Sequence, residues 1–72
     1  MFILQLNPRT DDRHSTIKYW DGNNWVLNAD DALRYSRLST ATKSFYYFAR
    51  NDGSYRGRLQ IIADGRVTAD VI

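Results

Sequence analysis

The stretch LSTATKSFYYFARNDG, residues 38–53, decides whether this chain contains a helix. Its apolar residues recur at helical spacing, which would place on one face Leu38, Ala41, Phe45, Phe48 and Ala49. Ser39 is a residue type favoured as a helix N-cap. Asn51-Asp52-Gly53 has the chemistry of a helix C-terminus. The stretch therefore predicts a helix that starts after Leu38 and ends near Asn51.

The competing interpretation of the same stretch is a strand through residues 44–49. Phenylalanine and tyrosine both favour strands, and four aromatic or apolar residues follow one another closely here. The helical spacing of the apolar residues favours the helix, so the fold class depends on which of these two signals prevails.

Strand patterns lie on both sides of this stretch. Phe2 to Leu6 is a strand that Asn7-Pro8 ends, because proline cannot donate to a ladder. Residues 16–20 and 25–27 flank DGNN, and 59–63 and 66–71 flank Asp64-Gly65, so each pair predicts a hairpin. Residues 30–36 could begin a helix but also suit a short extended piece, which we favour. We expect one α+β domain over residues 1–72, in which one helix packs on an antiparallel sheet of four to five strands.

The amino-acid composition limits how such a domain can be stabilised and where in the cell we expect it. The 72 residues include no cysteine, so neither disulfides nor thiolate metal sites are available. The formal net charge of +2 is modest and the charges are interspersed, which is weak support for a polyanion partner. The apolar start MFILQL is far shorter than the roughly 20 residues of a membrane span and lacks the features of a signal peptide. We expect a soluble, cytoplasmic protein.

Both faces of the predicted sheet carry apolar residues. In the first hairpin, a turn centred on Gly22 and Asn23 places Trp20 opposite Trp25. One face then carries Ile17, Tyr19 and Val26, and the other carries Lys18, Trp20, Trp25 and Leu27. A single helix covers only one face, so the second is closed by loops or presented to another chain, as exposed aromatic patches often are. In the alternative, Trp20 and Trp25 face the helix and complete the core, with Tyr19 outside.

Residues that commonly perform catalysis or bind metals are few. His14 is the only histidine, and its neighbour Ser15 does not make a triad, which depends on three-dimensional roles. The carboxylate pairs Asp11-Asp12 and Asp30-Asp31 lack the spaced ligands of a known cation-binding loop. We therefore expect no catalytic residue, no metal site and no cofactor.

The helix and the segment after it carry a basic and aromatic pattern. On a helix, Tyr47 lies between Lys43 and Arg50 on the solvent side, where bases or acidic side chains could use all three. Tyr55, Arg56 and Arg58 would extend this surface. The alternative is a solvated helix face in which Tyr47 lies along the aliphatic stems of its neighbours.

One further pattern runs from Tyr19 to Phe45: a strand ending in an aromatic, a glycine turn, a tryptophan, Ala-x-Arg-aromatic-Ser, and a short helix with alanine. The residues that carry it are Trp20, Gly22, Trp25, Ala32, Arg34, Tyr35, Ser36 and Ala41. This arrangement resembles a pattern in many small bacteriophage and prophage proteins. The resemblance implies a small α+β fold and a phage accessory role, and it implies no catalytic residue.

Three functions are consistent with these observations. The first is a non-enzymatic accessory protein that binds a host protein and inhibits or redirects it, for example a defence component such as a CRISPR effector. The second is nucleic-acid binding through the basic and aromatic surface, and the third is self-assembly as a homodimer. The candidate partner-binding residues are Trp20, Trp25, Lys43, Tyr47, Arg50, Tyr55, Arg56 and Arg58.

Overall fold

The chain folds as one helix against a five-stranded antiparallel sheet, which confirms the α+β prediction. The computed structural model describes residues 1–11, 13–51, 55 and 57–70. The strands are β1 (Phe2–Leu6), β2 (Lys18–Trp20), β3 (Trp25–Val26), β4 (Leu59–Ala63) and β5 (Arg66–Asp70), and the helix is α1 (Leu38–Asn51). The strand order in the sheet is β3-β2-β1-β4-β5, so the first strand lies at the centre.

Helix α1 extends over the stretch for which the sequence left a choice, so the strand interpretation of residues 44–49 is wrong. The amide of Ala41 donates to the carbonyl of Arg37 at 3.3 Å, which places Ser39 inside the first turn rather than at the N-cap. Near the other end, the Asn51 side chain donates to the carbonyl of Tyr47 at 2.7 Å. That bond ties the side chain of the last helical residue back to the backbone one turn earlier. Of the predicted C-terminal signal, Asp52 and Gly53 lie outside the described residues.

The core lies between α1 and the two central strands, β1 and β4, which α1 contacts. The helix buries Ala41 and Phe45 there. The buried strand residues alternate along each strand, as a sheet with one covered face requires: Leu4, Leu6, Leu59 and Ile61. Leu38, which the spacing groups with them, is 43% exposed in the first turn. Helical spacing thus predicted the buried residues in the middle of α1 correctly, but it wrongly placed Leu38 on the buried face.

The first hairpin has the predicted pairing, with Trp20 opposite Trp25 and Tyr19 opposite Val26. Its strands are shorter than the sequence indicated. The turn depends on Asp21, whose carboxylate accepts hydrogen bonds from the amides of Asn23 and Asn24 at 2.7 and 2.6 Å. These bonds favour the charged form and lower the pKa of Asp21 below its ordinary value of 3.8.

The segment after this hairpin joins the sheet at its centre. It begins with a 3-10 turn at Ala29–Asp31, where the sequence predicted extended chain from residue 30. The Asn28 side chain accepts from the amide of Asp30 at 2.9 Å and so caps that turn. Beyond it, Tyr35 and Phe2 exchange backbone hydrogen bonds of 2.7 and 2.8 Å, which continues the sheet beside β1.

Two neighbouring isoleucines on β4 point to opposite faces of the sheet, so replacing each in turn tests which face α1 covers. Ile61 is fully buried against α1, whereas Ile62 is half-buried on the other face. We expect Ile61→Val to lower the free energy of unfolding by about 0.5–1.5 kcal/mol, because it leaves a cavity in close-packed surroundings. The matched change Ile62→Val should cost measurably less. Urea unfolding of both variants checks this, and an equal or larger loss for Ile62→Val would contradict the layer assignment.

The Asp21 turn predicts a pH dependence. Because the pKa of Asp21 is lowered in the folded state, its ionised form stabilises the fold at pH values above 3.8, and this contribution is lost as the pH falls through the folded-state pKa. Asn at this position cannot ionise, so the stability difference between the wild type and Asp21→Asn should shrink in acid. Thermal unfolding of both proteins from neutral pH to about pH 2 measures it. A difference that is constant across this range would show that the carboxylate charge does not matter.

Candidate binding surfaces

Both tryptophans of the first hairpin face α1 and form an aromatic cluster with it. The rings of Trp20 and Phe48 meet edge to face, with centroids 4.8 Å apart. Trp25 lies 5.4 Å from Trp20 and 5.2 Å from Phe48. The cluster extends the core from β1 and β4 towards the edge of the sheet. Of the two arrangements that the sequence allowed, the structure therefore has the one in which the tryptophans complete the core.

Tyr55 closes this cluster from the segment that follows α1. Its ring packs on Trp25 and Phe48 with centroids 5.7 Å away in each case. Its hydroxyl accepts a hydrogen bond from Nε1 of Trp25 at 3.1 Å. Tyr55, Trp20 and Trp25, which the sequence suggested as partner-binding residues, are thus half-buried and pack on one another.

Lys43, Tyr47 and Arg50 do lie together on the exposed side of α1, as the sequence predicted. Tyr47 is 63% exposed, and Tyr46, which the sequence analysis did not select, is 56% exposed. Tyr46 is three residues after Lys43 and four before Arg50, so helical spacing could have identified it. We call Lys43, Tyr46, Tyr47 and Arg50 the helix stripe.

The other two arginines of the sequence prediction do not extend this stripe. Arg58 is half-buried at the start of β4, and its Nε donates to the carbonyl of Asn7 at 3.0 Å. It lines a depression with Pro8, Arg9 and Gly57, separate from the one that Lys43 and Tyr47 line. The hydrogen bond from Arg58 to Asn7 links the start of β4 to the chain leaving β1. Arg56 lies outside the described residues.

A shallow groove separates the helix stripe from the first hairpin. It has a volume of about 310 Å³. Three aromatic side chains, one cation and one hydroxyl group line it: Trp20, Tyr47, Phe48, Lys43 and Ser44. The Ser44 hydroxyl, in the middle of α1, accepts a hydrogen bond from the hydroxyl of Tyr35 at 3.0 Å. This bond fixes the position of the Ser44 side chain. The groove therefore combines flat apolar walls with a positive charge.

The face of the sheet that points away from α1 carries an apolar surface of its own. Pairing across the ladder, together with alternation along each strand, places one apolar residue from every strand there: Ile3, Tyr19, Val26, Ile62 and Val67. We call these residues the open sheet face. The sequence pattern indicates that both faces carry apolar residues, but it does not identify these five as a site, since nothing local distinguishes one face from the other.

A depression of about 540 Å³ occupies much of the open sheet face. Charged residues flank it: Asp30 and Arg34 on the side of β2, and Asp64 on the side of the β4–β5 turn. The guanidinium of Arg34 donates to the backbone carbonyls of Asp30 and Ala32 at 3.3 and 3.4 Å. These bonds hold one cation at the rim of an apolar floor.

The residues considered for catalysis or metal binding are dispersed. Asp11 forms an ion pair with Arg9 at 3.3 Å, and Asp30 and Asp31 belong to the 3-10 turn. His14 lies in an exposed loop, and Asp12 lies outside the described residues. In the part of the chain that the structure describes, no three His, Cys, Asp or Glu side chains are grouped to hold a metal ion. No helix among the same residues is long and apolar enough to cross a membrane.

Comparison of the chain with protein-family models, curated proteins and solved structures gives no match. No relative therefore indicates which residues act, and only the geometry of the molecule itself indicates where a partner could bind. Two surfaces are candidates: the open sheet face on one side of the sheet and the groove beside the helix stripe on the other.

The Tyr55 hydroxyl provides a test of the aromatic cluster. Tyr55→Phe keeps the ring but removes the acceptor of the Trp25 hydrogen bond, so we expect it to lower the free energy of unfolding by about 0.5–1.5 kcal/mol. Tyr47→Phe removes a hydroxyl from a mostly exposed ring and should change stability by less than about 0.5 kcal/mol. Urea unfolding measures both variants. Equal effects would mean that the Trp25–Tyr55 bond does not stabilise the fold.

Proposed function

We propose that this protein is a non-enzymatic phage or prophage accessory protein that binds a host protein through the open sheet face. The observation that carries the proposal is a sheet face to which all five strands contribute an apolar residue and which, among the described residues, neither α1 nor another strand covers. Gln5 and Gln60 lie on the same face, and the 3-10 turn at Ala29–Asp31 lies at its edge. Exposed apolar surfaces with polar rims commonly mark protein interaction sites. Four residues of the open sheet face, all but Val26, line the depression together with Gln5, and Asp30, Arg34 and Asp64 lie at its rim.

The composition of this surface suits a protein partner. Interfaces concentrate aromatic and aliphatic side chains at a centre from which water is excluded and place charged groups at the rim. Here Tyr19 and Ile62 lie on the floor of the depression and Arg34 lies at its edge. The depression is open to solvent, and its charged rim is of the kind that borders a protein interface.

The edges of the sheet favour docking on the face over the addition of a strand. β3, at one edge, has only two residues. β5, at the other edge, pairs irregularly with β4, because the register shifts between Ile61 and Ile62. The hydroxyl of Thr68 donates to the carbonyl of Ile61 at 3.0 Å within this bulge. Short and bulged edge strands are poor templates for another strand.

The class of partner that we propose, a host protein, is the one that the resemblance to phage accessory proteins implies. Such proteins act in the cytoplasm of the infected cell, and a protein that inhibits by covering a surface needs no catalytic group. A defence component such as a CRISPR effector is one partner of this kind. We therefore propose inhibition or redirection of a host protein by occupation of its surface.

The test is a binding experiment with a matched pair of variants. Wild-type protein is used as bait in a lysate of the bacterial host, and the recovered protein is then purified and titrated. Val67 is 50% exposed on the open sheet face, and Leu38 is 43% exposed on α1. We expect Val67→Arg to weaken binding about tenfold or more, because it places a charge in an apolar interface. Leu38→Arg should bind as the wild type does.

Several outcomes would contradict this proposal. One is that no host protein binds saturably, and another is that Leu38→Arg weakens binding while Val67→Arg does not. A second copy of the chain could also occupy the open sheet face. Light scattering that finds a dimer, and finds that Val67→Arg dissociates it, would assign the face to self-association in place of a host partner.

A further inference from the structure

The groove between the helix stripe and the first hairpin points to a second binding activity, on the side of the molecule opposite the open sheet face. We propose that this groove accepts an unpaired base of a single-stranded nucleic acid, while Lys43 and Arg50 contact the flanking phosphates. The three aromatic side chains of the groove supply the stacking surface.

The shape and lining of the groove fit one flat ring. Its volume of about 310 Å³ is at the lower limit of ordinary ligand pockets. Trp20 and Phe48 are held edge to face by their own packing, and Tyr47 stands beside Phe48 with its ring at 82° to it. The contact between Trp20 and Phe48 holds these two walls in place before any ligand binds, which reduces the entropic cost of binding, and Tyr47 supplies an exposed outer wall.

The charge of the helix favours an anionic ligand. Helix α1 contains no acidic residue. Lys43 and Arg50 are exposed, and neither forms a salt bridge or side-chain hydrogen bond among the described residues. They are two turns apart on one side of the helix, about 10 Å along its axis. Two exposed cations at this spacing can contact phosphates on either side of one extruded base.

The geometry of the groove favours single-stranded nucleic acid over duplex nucleic acid and acidic peptides. In a duplex the bases are stacked on one another, so their flat faces cannot enter an aromatic groove. An acidic peptide could contact Lys43 and Arg50, but it has no flat ring to fill the space beside Tyr47. Single-stranded nucleic acid uses both the cations and the aromatic walls, as aromatic grooves with basic rims generally do.

The test is a titration by fluorescence anisotropy with a labelled thymidine oligonucleotide of about twelve nucleotides at about 50 mM salt. We expect Tyr47→Ala to weaken binding by about five- to hundredfold, the range for loss of one base-stacking contact, and Tyr47→Phe to restore it. The double variant Lys43→Gln/Arg50→Gln should weaken binding and reduce the slope of log affinity against log salt by about 1.4, for two phosphate contacts.

Matched controls distinguish the groove from general electrostatic attraction. Arg66 is an exposed cation on β5, at the edge of the sheet away from β2, so Arg66→Gln removes one positive charge, half of what the double variant removes, without touching the groove. It should leave affinity within about twofold of the wild type. Val67→Arg, which tests the open sheet face, should still bind the oligonucleotide, so each surface can be tested without the other.

The proposal is overturned if the wild type does not bind the oligonucleotide at low salt. It is also overturned if Tyr47→Ala binds as the wild type does, or if duplex DNA of equal length or polyglutamate binds as tightly as the single strand. Thermal unfolding of each variant confirms that it is folded before it is titrated. Since Lys43, Tyr47 and Arg50 are exposed, we expect their replacement to leave the fold intact.

Discussion

One helix has to supply the whole second layer of this domain, and the rest of the structure follows from that constraint. At about 1.5 Å per residue, the 14 residues of α1 extend roughly 21 Å, and the helix lies over the two central strands. The core is therefore centred on β1 and β4, where Leu4, Leu59 and Ile61 are fully buried. The inner face of the first hairpin lies beside the helix. The indole rings of Trp20 and Trp25 pack on Phe48 and fill this space.

The four consecutive residues Phe45 to Phe48 show how the helix divides its side chains between these tasks. Successive residues turn by about 100°, so the four point in different directions. Phe45 enters the core and Phe48 meets the tryptophans, while Tyr46 and Tyr47 remain exposed. The two phenylalanines are the residues without a hydroxyl group, and they take the two directions that exclude water.

The sequence predicted the elements and the local pairings because these depend on neighbours in the chain. Apolar spacing identified α1, and the turn residues identified both hairpins and the pairing of Trp20 with Trp25. Longer-range features could not be predicted in the same way. The exchange of hydrogen bonds between Phe2 and Tyr35, and the bond from Arg58 to Asn7, join segments that only the complete fold brings together.

Two further limits of the sequence have physical causes. Alternation could not decide which face of the hairpin meets α1, because both faces carry apolar residues; the structure decides it through the packing of Trp20 on Phe48. Composition also could not separate a basic residue that binds a backbone carbonyl, such as Arg58, from one left exposed, such as Arg50. For the candidate sites, the sequence therefore indicated part of the helix stripe but not the open sheet face.

The central position of β1 has a consequence for the order in which the domain folds. β1 precedes the first hairpin and α1 in the chain, yet its partner β4 follows α1, and residues far apart in the sequence pair directly, as Leu6 does with Leu59. Pairings between distant segments slow folding, because a long loop must close before they form. The first hairpin can close on its own, but the apolar strand Phe2–Leu6 stays unpaired on one side until β4 has been synthesised. That open edge of β1 persists while the first hairpin and α1 are made, and the arrival of β4 is the event that completes the core.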